Sequence, residues 1–268
     1  MYNDEGNEAY SEEDYINAVV SIAEEIGDKK LEGRVYISLG CEYNSRGDFR
    51  EAVEFYQQGL AIAKTVGDKE LQQAAYWNLG TAYYSNYDFP KAIEFYQKNV
   101  SVANEIGNKK SEGQGYMNLG CTYVFLDDFR NAMECHQRGL VIAKEIKDKY
   151  LEGQAYGNLG ADCISLRDFP KAIDFLQRSV RTAKEIGDKK SEGMGYINLG
   201  CVYRDRGDIR KAIKFQQQGL VIAKEVGDKV SEGKVYGNLG IAYSCLYDFP
   251  KAFDFIQKEL SIAKKNWK

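Results

Sequence analysis

Five asparagines recur forty residues apart, Asn78, Asn118, Asn158, Asn198 and Asn238, each directly before a Leu-Gly pair, with Ser38 at the matching position upstream. A carboxamide donates and accepts hydrogen bonds at once. A column of them can therefore pair with the N–H and C=O groups of another backbone without reading its side chains. That is binding chemistry rather than bond-making chemistry. The more reactive residue types form no catalytic set. His136 is the only histidine and falls where sister segments carry tyrosine or leucine, which makes it a packing residue. None of the six cysteines forms a CxxC pair. Cys41, Cys121 and Cys201 lie two units apart, roughly 20 Å at ordinary helix packing distances, too far to share a metal or a disulfide. They read as small groove residues, and Cys163 as inert filler in a seam. The glycines of "GQGYMNLG" lack the following Gly-Lys-Ser/Thr of a phosphate loop. The expectation is a chain with no catalytic residues, no metal and no cofactor.

Composition narrows the partners. With 36 basic and 40 acidic residues the chain lacks the basic excess that nucleic-acid binding uses to displace counterions. No apolar run is long enough to cross a bilayer. The opening "MYNDEGNEAYSEEDY" is acidic and polar where a secretory signal is basic and then apolar. These features predict a soluble, cytoplasmic protein that binds neither nucleic acid nor membrane.

The elements that must hold the asparagines follow a strict forty-residue ruler. Gly40, Gly80, Gly120, Gly160, Gly200 and Gly240 mark it without insertion or deletion. Six full units span 29–68, 69–108, 109–148, 149–188, 189–228 and 229–268. Residues 1–28 match only the second half of a unit, and 1–268 is predicted to be a single array. A slower rhythm alternates Cys41, Cys121 and Cys201 with Thr81, Ala161 and Ile241. Each unit reads as two helices. Asp28, Asp68, Asn108, Asp148, Asp188 and Asp228 can cap the first helix, and Asp48, Asp88, Asp128, Asp168, Asp208 and Asp248 the second. Gly27, Gly67, Gly107, Gly187 and Gly227 suit left-handed helix ends. Pro90, Pro170 and Pro250 fall in first turns, where a missing N–H breaks no helical bond. No segment alternates as a strand does. The fold class is all-α.

The pattern Tyr36, Leu39, Gly40, Tyr43 and Ala52, repeated in all six units, resembles the tetratricopeptide repeat. The forty-residue unit with "NLG" and "IAKEIGDK" is most similar to the Partner of Inscuteable (LGN) group. No GoLoco-like segment is present, so the similarity covers the helical array alone. The resemblance implies a right-handed α-solenoid of antiparallel helix pairs. In it the first helices line a concave groove that holds an extended partner segment. The departures concern partner choice. The column at which that group often carries arginine toward acidic partners reads Arg34, Ala74, Gln114, Gln154, Met194 and Lys234. Acid recognition is thus expected only at the ends. Cations do not converge mid-groove, so capture of a free peptide C-terminus is not expected.

At about 100° per residue, Tyr36, Leu39, Gly40 and Tyr43 gather in a seam toward the second helix. Arg34, Ser38, Cys41 and Ser45 form a stripe on the opposite side, and the asparagines extend it. First helices 8–10 Å apart would meet an extended chain rising about 3.3 Å per residue at every third residue. The predicted partner-binding residues are therefore Ser38 and the five asparagines. Arg34, Gln114, Gln154, Lys234 and Arg204 are the polar candidates, and Trp77, Met117, Tyr84, Phe125 and Ile197 the side-chain pockets. Three rival roles remain open. The asparagines could instead brace neighbouring helices. Uncapped ends could stack into a homo-oligomer. A bound peptide could reset the curvature in a regulatory sensor.

Overall fold

The computed structural model describes residues 12–266. Residues 1–11 of the expected partial unit, and 267–268 of the last, lie outside them. Among the described residues there are thirteen α-helices and no strand: α1 (Glu12–Ile26), α2 (Lys29–Arg46), α3 (Phe49–Thr65), α4 (Lys69–Ser85), α5 (Phe89–Glu105), α6 (Lys109–Phe125), α7 (Phe129–Glu145), α8 (Lys149–Ser165), α9 (Phe169–Ile186), α10 (Lys189–Asp205), α11 (Ile209–Glu225), α12 (Lys229–Cys245) and α13 (Phe249–Asn266). The chain divides into two compact units, Met1–Leu126 and Asp127–Lys268. Within each, successive helices pack against one another as tandem antiparallel pairs.

One residue ends each helix and starts the next. The Asp48 N–H donates to the carbonyl of Tyr43 while Gly47 N–H donates to that of Asn44, closing α2 in a Schellman turn. Asp88 closes α4 in the same way, with Tyr87 in the left-handed position at φ 61°. The same aspartates then cap the following helix. Asp68 accepts from the Leu71 N–H at 2.9 Å, Asp148 from Leu151 at 3.0 Å and Asp248 from Lys251 at 3.3 Å. Asp48 departs from the expectation, since its side chain makes no capping bond and only its backbone joins the helices. The predicted glycines are left-handed (Gly67 φ 70°, Gly227 φ 72°), but Lys147 takes the same conformation at φ 57°.

The seam glycines set the spacing within a pair. A Cβ on Gly40 would lie 2.5 Å from the Tyr56 ring, one on Gly80 2.6 Å from the Tyr96 ring, and one on Gly160 2.7 Å from Leu176. Only glycine lets these backbones approach so closely. Around them Tyr43 and Phe55, Tyr83 and Phe95, Tyr203 and Phe215, and Tyr243 and Phe255 stack with ring centroids 5.2–5.4 Å apart. These stacked rings pack between the two helices of each pair.

Candidate peptide-binding face

Within each unit the first helices of neighbouring pairs touch: α2 meets α4 in the first, and α8 meets α10 and α10 meets α12 in the second. No two second helices approach each other comparably among the described residues. A row whose first helices touch and whose second helices do not is bent toward the first. Locally, therefore, the first helices hold the inner side.

In the first unit Arg34, Ser38 and Cys41 are exposed, while Asn78, Gln114, Asn118 and Cys121 are partly buried. Asn78 makes no side-chain hydrogen bond among the described residues. Beneath it Thr81 Oγ1 donates to the Trp77 carbonyl at 3.0 Å, and the Tyr96 hydroxyl donates to Thr81 at 3.3 Å. Asn118 also bonds the Tyr96 hydroxyl, and burial pushes that phenol's pKa up to about 12, so it keeps its proton. Trp77 is half-buried with its ring edge-on to Tyr96 at 6.1 Å. An open pocket of about 370 Å³ lies between α2 and α4. Ile37, Leu71 and Ala74 line its apolar part, and Arg34, Ser38 and Lys30 its polar part. Lys30 is already paired with Asp68 at 2.6 Å. That ion pair, with the Leu71 N–H, holds the Asp68 carboxyl below its usual range.

Tyr84 and Phe125 stand together at the far ends of α4 and α6, edge to face at 5.4 Å. Phe89 stacks on Phe125 at 5.1 Å, and Phe125 itself is 57% exposed. Burial raises the pKa of the Tyr84 hydroxyl, which stays a neutral donor.

In the second unit Gln154 and Lys234 are exposed, and Asn158, Asn198 and Asn238 are partly buried. Asn198 makes no side-chain hydrogen bond among the described residues. Asn238 reaches back to α10: its Nδ2 donates to Cys201 Sγ at 3.5 Å, and its Oδ1 accepts from Arg204 at 3.4 Å. Arg204 is otherwise held by Asp205 at 2.9 Å, so its charge is neutralised in place. Burial raises the Cys201 thiol pKa. The column thus divides by position. Asn118 and Asn238 contact neighbouring helices, whereas Asn78 and Asn198 make no side-chain hydrogen bond among the described residues.

Two predicted pocket residues are not on this face. Met117 and Ile197 are 5% and 4% exposed. One residue before an asparagine is a turn of about 100° toward the second helix. There Ile197 fills the space that Gly219 leaves on α11, where a Cβ would lie 2.8 Å from its Cγ1. Conversely, Met194 (38% exposed) and Ile241 (50% exposed) stand on the stripe and were not singled out. The signal was present, since they occupy the Arg34 and Cys41 columns. His136 is buried with Nδ1 2.6 Å from Asp162 Oδ2. A second opening, about 310 Å³ between α8 and α9, lies away from the asparagines, and its Lys149 and Arg178 are paired with Glu152 and Asp174.

Solved structures share this fold. A Signal Transduction ATPase with Numerous Domains protein with a tetratricopeptide repeat sensor, from Pyrococcus horikoshii, superposes with a TM-score of 0.80 at 17% identity, over 91% of this chain and 39% of that one. BtubC from P. vanneervenii gives 0.72 at 19% identity, over 81% and 91%. A Rap protein complexed with Competence and Sporulation Factor gives 0.65 at 15% identity, over 94% and 80%. At these identities the likeness is one of fold. No curated protein matches the chain. Tetratricopeptide repeat models match residues 71–145, 151–225 and 192–265, and a further one residues 35–70. With so much of its length matched, the chain belongs to the tetratricopeptide repeat family.

Proposed function

We propose that the chain is a non-catalytic scaffold that holds an extended segment of a partner protein against its first helices. The observation that carries this reading is the state of Asn78 and Asn198, one in each unit. Both carboxamides are partly exposed on the inner side and lack an internal hydrogen bond among the described residues, at positions where asparagine has no helical advantage over alanine. Beside them the pocket between α2 and α4 offers an apolar seat under Arg34. Met194 and Ile241 offer apolar contacts in the second unit. The solved Rap protein complexed with Competence and Sporulation Factor supports a fold of this kind accepting a ligand. The likeness to the Partner of Inscuteable group belongs to the same reading.

A hydrogen bond contributes about 0.5–1.5 kcal/mol net, and a micromolar complex needs about 8 kcal/mol. The asparagines therefore hold the backbone, while the apolar seats supply most of the affinity and the choice of partner. A photo-crosslinking residue at Ser38 or Asn198 should capture a partner at one extended segment. The same group at Gln57 or Gln177, exposed on second helices, should not. Equal capture from both sides would remove the proposal.

A second reading is association of copies through α13. Phe249, Phe253, Ile256 and Leu260, spaced along one side of that helix, are 41–63% exposed. Light scattering across concentration decides it, because a particle of constant monomeric mass excludes it.

A further inference from the structure

The contact between α7 and α8 contains a pairing found at no other repeat boundary. His136 and Asp162 are each 1% exposed, with Nδ1 and Oδ2 2.6 Å apart. Among the described residues it is the only acid–base contact with both side chains sealed. The second carboxylate oxygen of Asp162 is buried and has no hydrogen-bond partner there. At the boundaries α3–α4, α5–α6, α9–α10 and α11–α12 the corresponding positions are Tyr56 and Ala82, Tyr96 and Thr122, Leu176 and Val202, and Gln216 and Ala242, while on α2 the Asp162 position is taken by the exposed Glu42. The members of those four pairs are no more than 2% exposed, and none is ionisable in the carboxylate or imidazole range.

A chain of near-identical units has many ways to pack wrongly. The second helices α3, α5, α9 and α11 present seams much like that of α7, and intramolecular slips or exchange between copies would bury similar apolar area. Misassembly of this kind is characteristic of repeat proteins. Asp162 distinguishes the alternatives. On α3, α5, α9, α11 or α13 its carboxylate would meet Tyr56, Tyr96, Leu176, Gln216 or Ile256, none of which can carry a positive charge. In turn, α4, α6, α10 or α12 on α7 would seal His136 against alanine, threonine or valine, while α2 would bring Glu42, one methylene longer, to that position. An ionised group buried without its partner is strongly disfavoured. We infer that His136 and Asp162 fix the register of the array, because α7 alone offers the Asp162 carboxylate an imidazole. Buried polar groups that specify one arrangement over near-equivalent ones are best attested in this role.

The test separates register from stability. His136→Leu alone, which strands the carboxylate, should lower the folded-to-unfolded ratio on the order of a hundredfold or more. The double variant His136→Leu/Asp162→Val copies the Leu176 and Val202 pairing already present and should recover most of that loss. Refolded from urea at rising protein concentration, it should nevertheless give severalfold more exchanged oligomers than the parent by light scattering. It should also show weakened hydrogen-exchange protection in α7 and α8. The reversed pair, His136→Asp/Asp162→His, should refold like the parent. If the double variant refolds to the parental size distribution and exchange pattern at every concentration, the register role is overturned. It is equally overturned if the reversed pair misassembles as much as the double variant.

Discussion

Replacing Asn78 and Asn198 with alanine is the perturbation that most directly divides grip from brace. Neither carboxamide has an internal hydrogen bond among the described residues, and both are partly exposed, so removing them leaves no buried group unpaired. Alanine is the better helix former by up to about 0.7 kcal/mol at each site. Loss of the partly buried amide carbons offsets a few tenths of that. The expected change in unfolding free energy is thus within about 0.5 kcal/mol per site, leaning toward stabilisation. If each amide makes one net backbone hydrogen bond to a partner, binding should weaken by about 1–3 kcal/mol for the pair, roughly 5- to 150-fold. Asn238→Ala is the internal contrast. It removes the contacts to Cys201 and Arg204, so some stability should be lost even without a partner. Urea unfolding supplies the first quantity. Titration calorimetry with the segment mapped by crosslinking supplies the second. A double variant that loses more than about 1 kcal/mol per site while binding as before would refute the reasoning, since the amides would then be braces.

Other predictions rest on geometry already described. Gly80→Ala places a Cβ 2.6 Å from the Tyr96 ring; overpacking of about 1–3 kcal/mol should outweigh the roughly 1 kcal/mol helix gain and lower the melting temperature. Gly153→Ala, whose Cβ meets Thr182 at an ordinary 3.4 Å, should raise it instead. Lys147→Gly relieves a left-handed lysine and should stabilise by up to about 1 kcal/mol; an unchanged melt would mean that the lysine side chain makes a compensating contact. The Asp68 carboxyl is held low by Lys30 and the Leu71 N–H. The stability it contributes is therefore present above the unfolded value of about 3.9 and is lost as pH falls through the folded value. Asp68→Asn, which keeps a capping oxygen, should flatten the acid limb of the unfolding profile below about pH 4. Burial pushes Cys135 and Cys163 up to about 11, whereas Cys41 and Cys245 are exposed. Iodoacetamide at pH 8 should label the exposed pair first, and equally fast labelling of Cys163 would contradict its packing.

Most of the fold was legible because capping and close approach are local chemistry. An aspartate before a helical run and a glycine opposite an aromatic each have one good structural reason to recur, and recurrence at a constant interval removed the ambiguity of a single match. Asp48 shows the limit. Its side chain makes no capping bond although its neighbours in the column do, because the backbone contact that joins two helices suffices without it. The non-glycine left-handed turns at Tyr87, Asp127, Arg167 and Tyr247 were equally hidden. Their neighbours' hydrogen bonds over-determine the conformation, so a residue that disfavours it is tolerated.

Which side chains stand exposed along the stripe was legible to within one position, and the departures at Met117 and Ile197 have a common cause. A helical wheel assigns direction from one helix, whereas exposure depends on what the opposite helix offers. Ile37 and Ile197 are buried because α3 and α11 carry glycine at 59 and 219, leaving holes in which a Cβ would lie 2.8 Å from the isoleucine in each case. In the fourth unit the exchange is reversed: Gly157 sits on the first helix and Ser179 occupies the second, 3.4 Å from where a Cβ would be. Large and small residues therefore trade places between positions twenty-two apart, and the trade follows the slower eighty-residue rhythm already visible in the cysteines. Reading those two columns jointly would have sent Met117 and Ile197 into the seam. It would have left the stripe to Met194 and Ile241, whose exposed apolar surface no second helix covers. The same joint reading picks out His136 and Asp162, twenty-six apart, as the one offset match of a histidine with a carboxylate. Paired deviation at a fixed offset is thus the signal that distinguishes a residue facing another helix from one facing solvent, because only the former must answer to a partner within the chain.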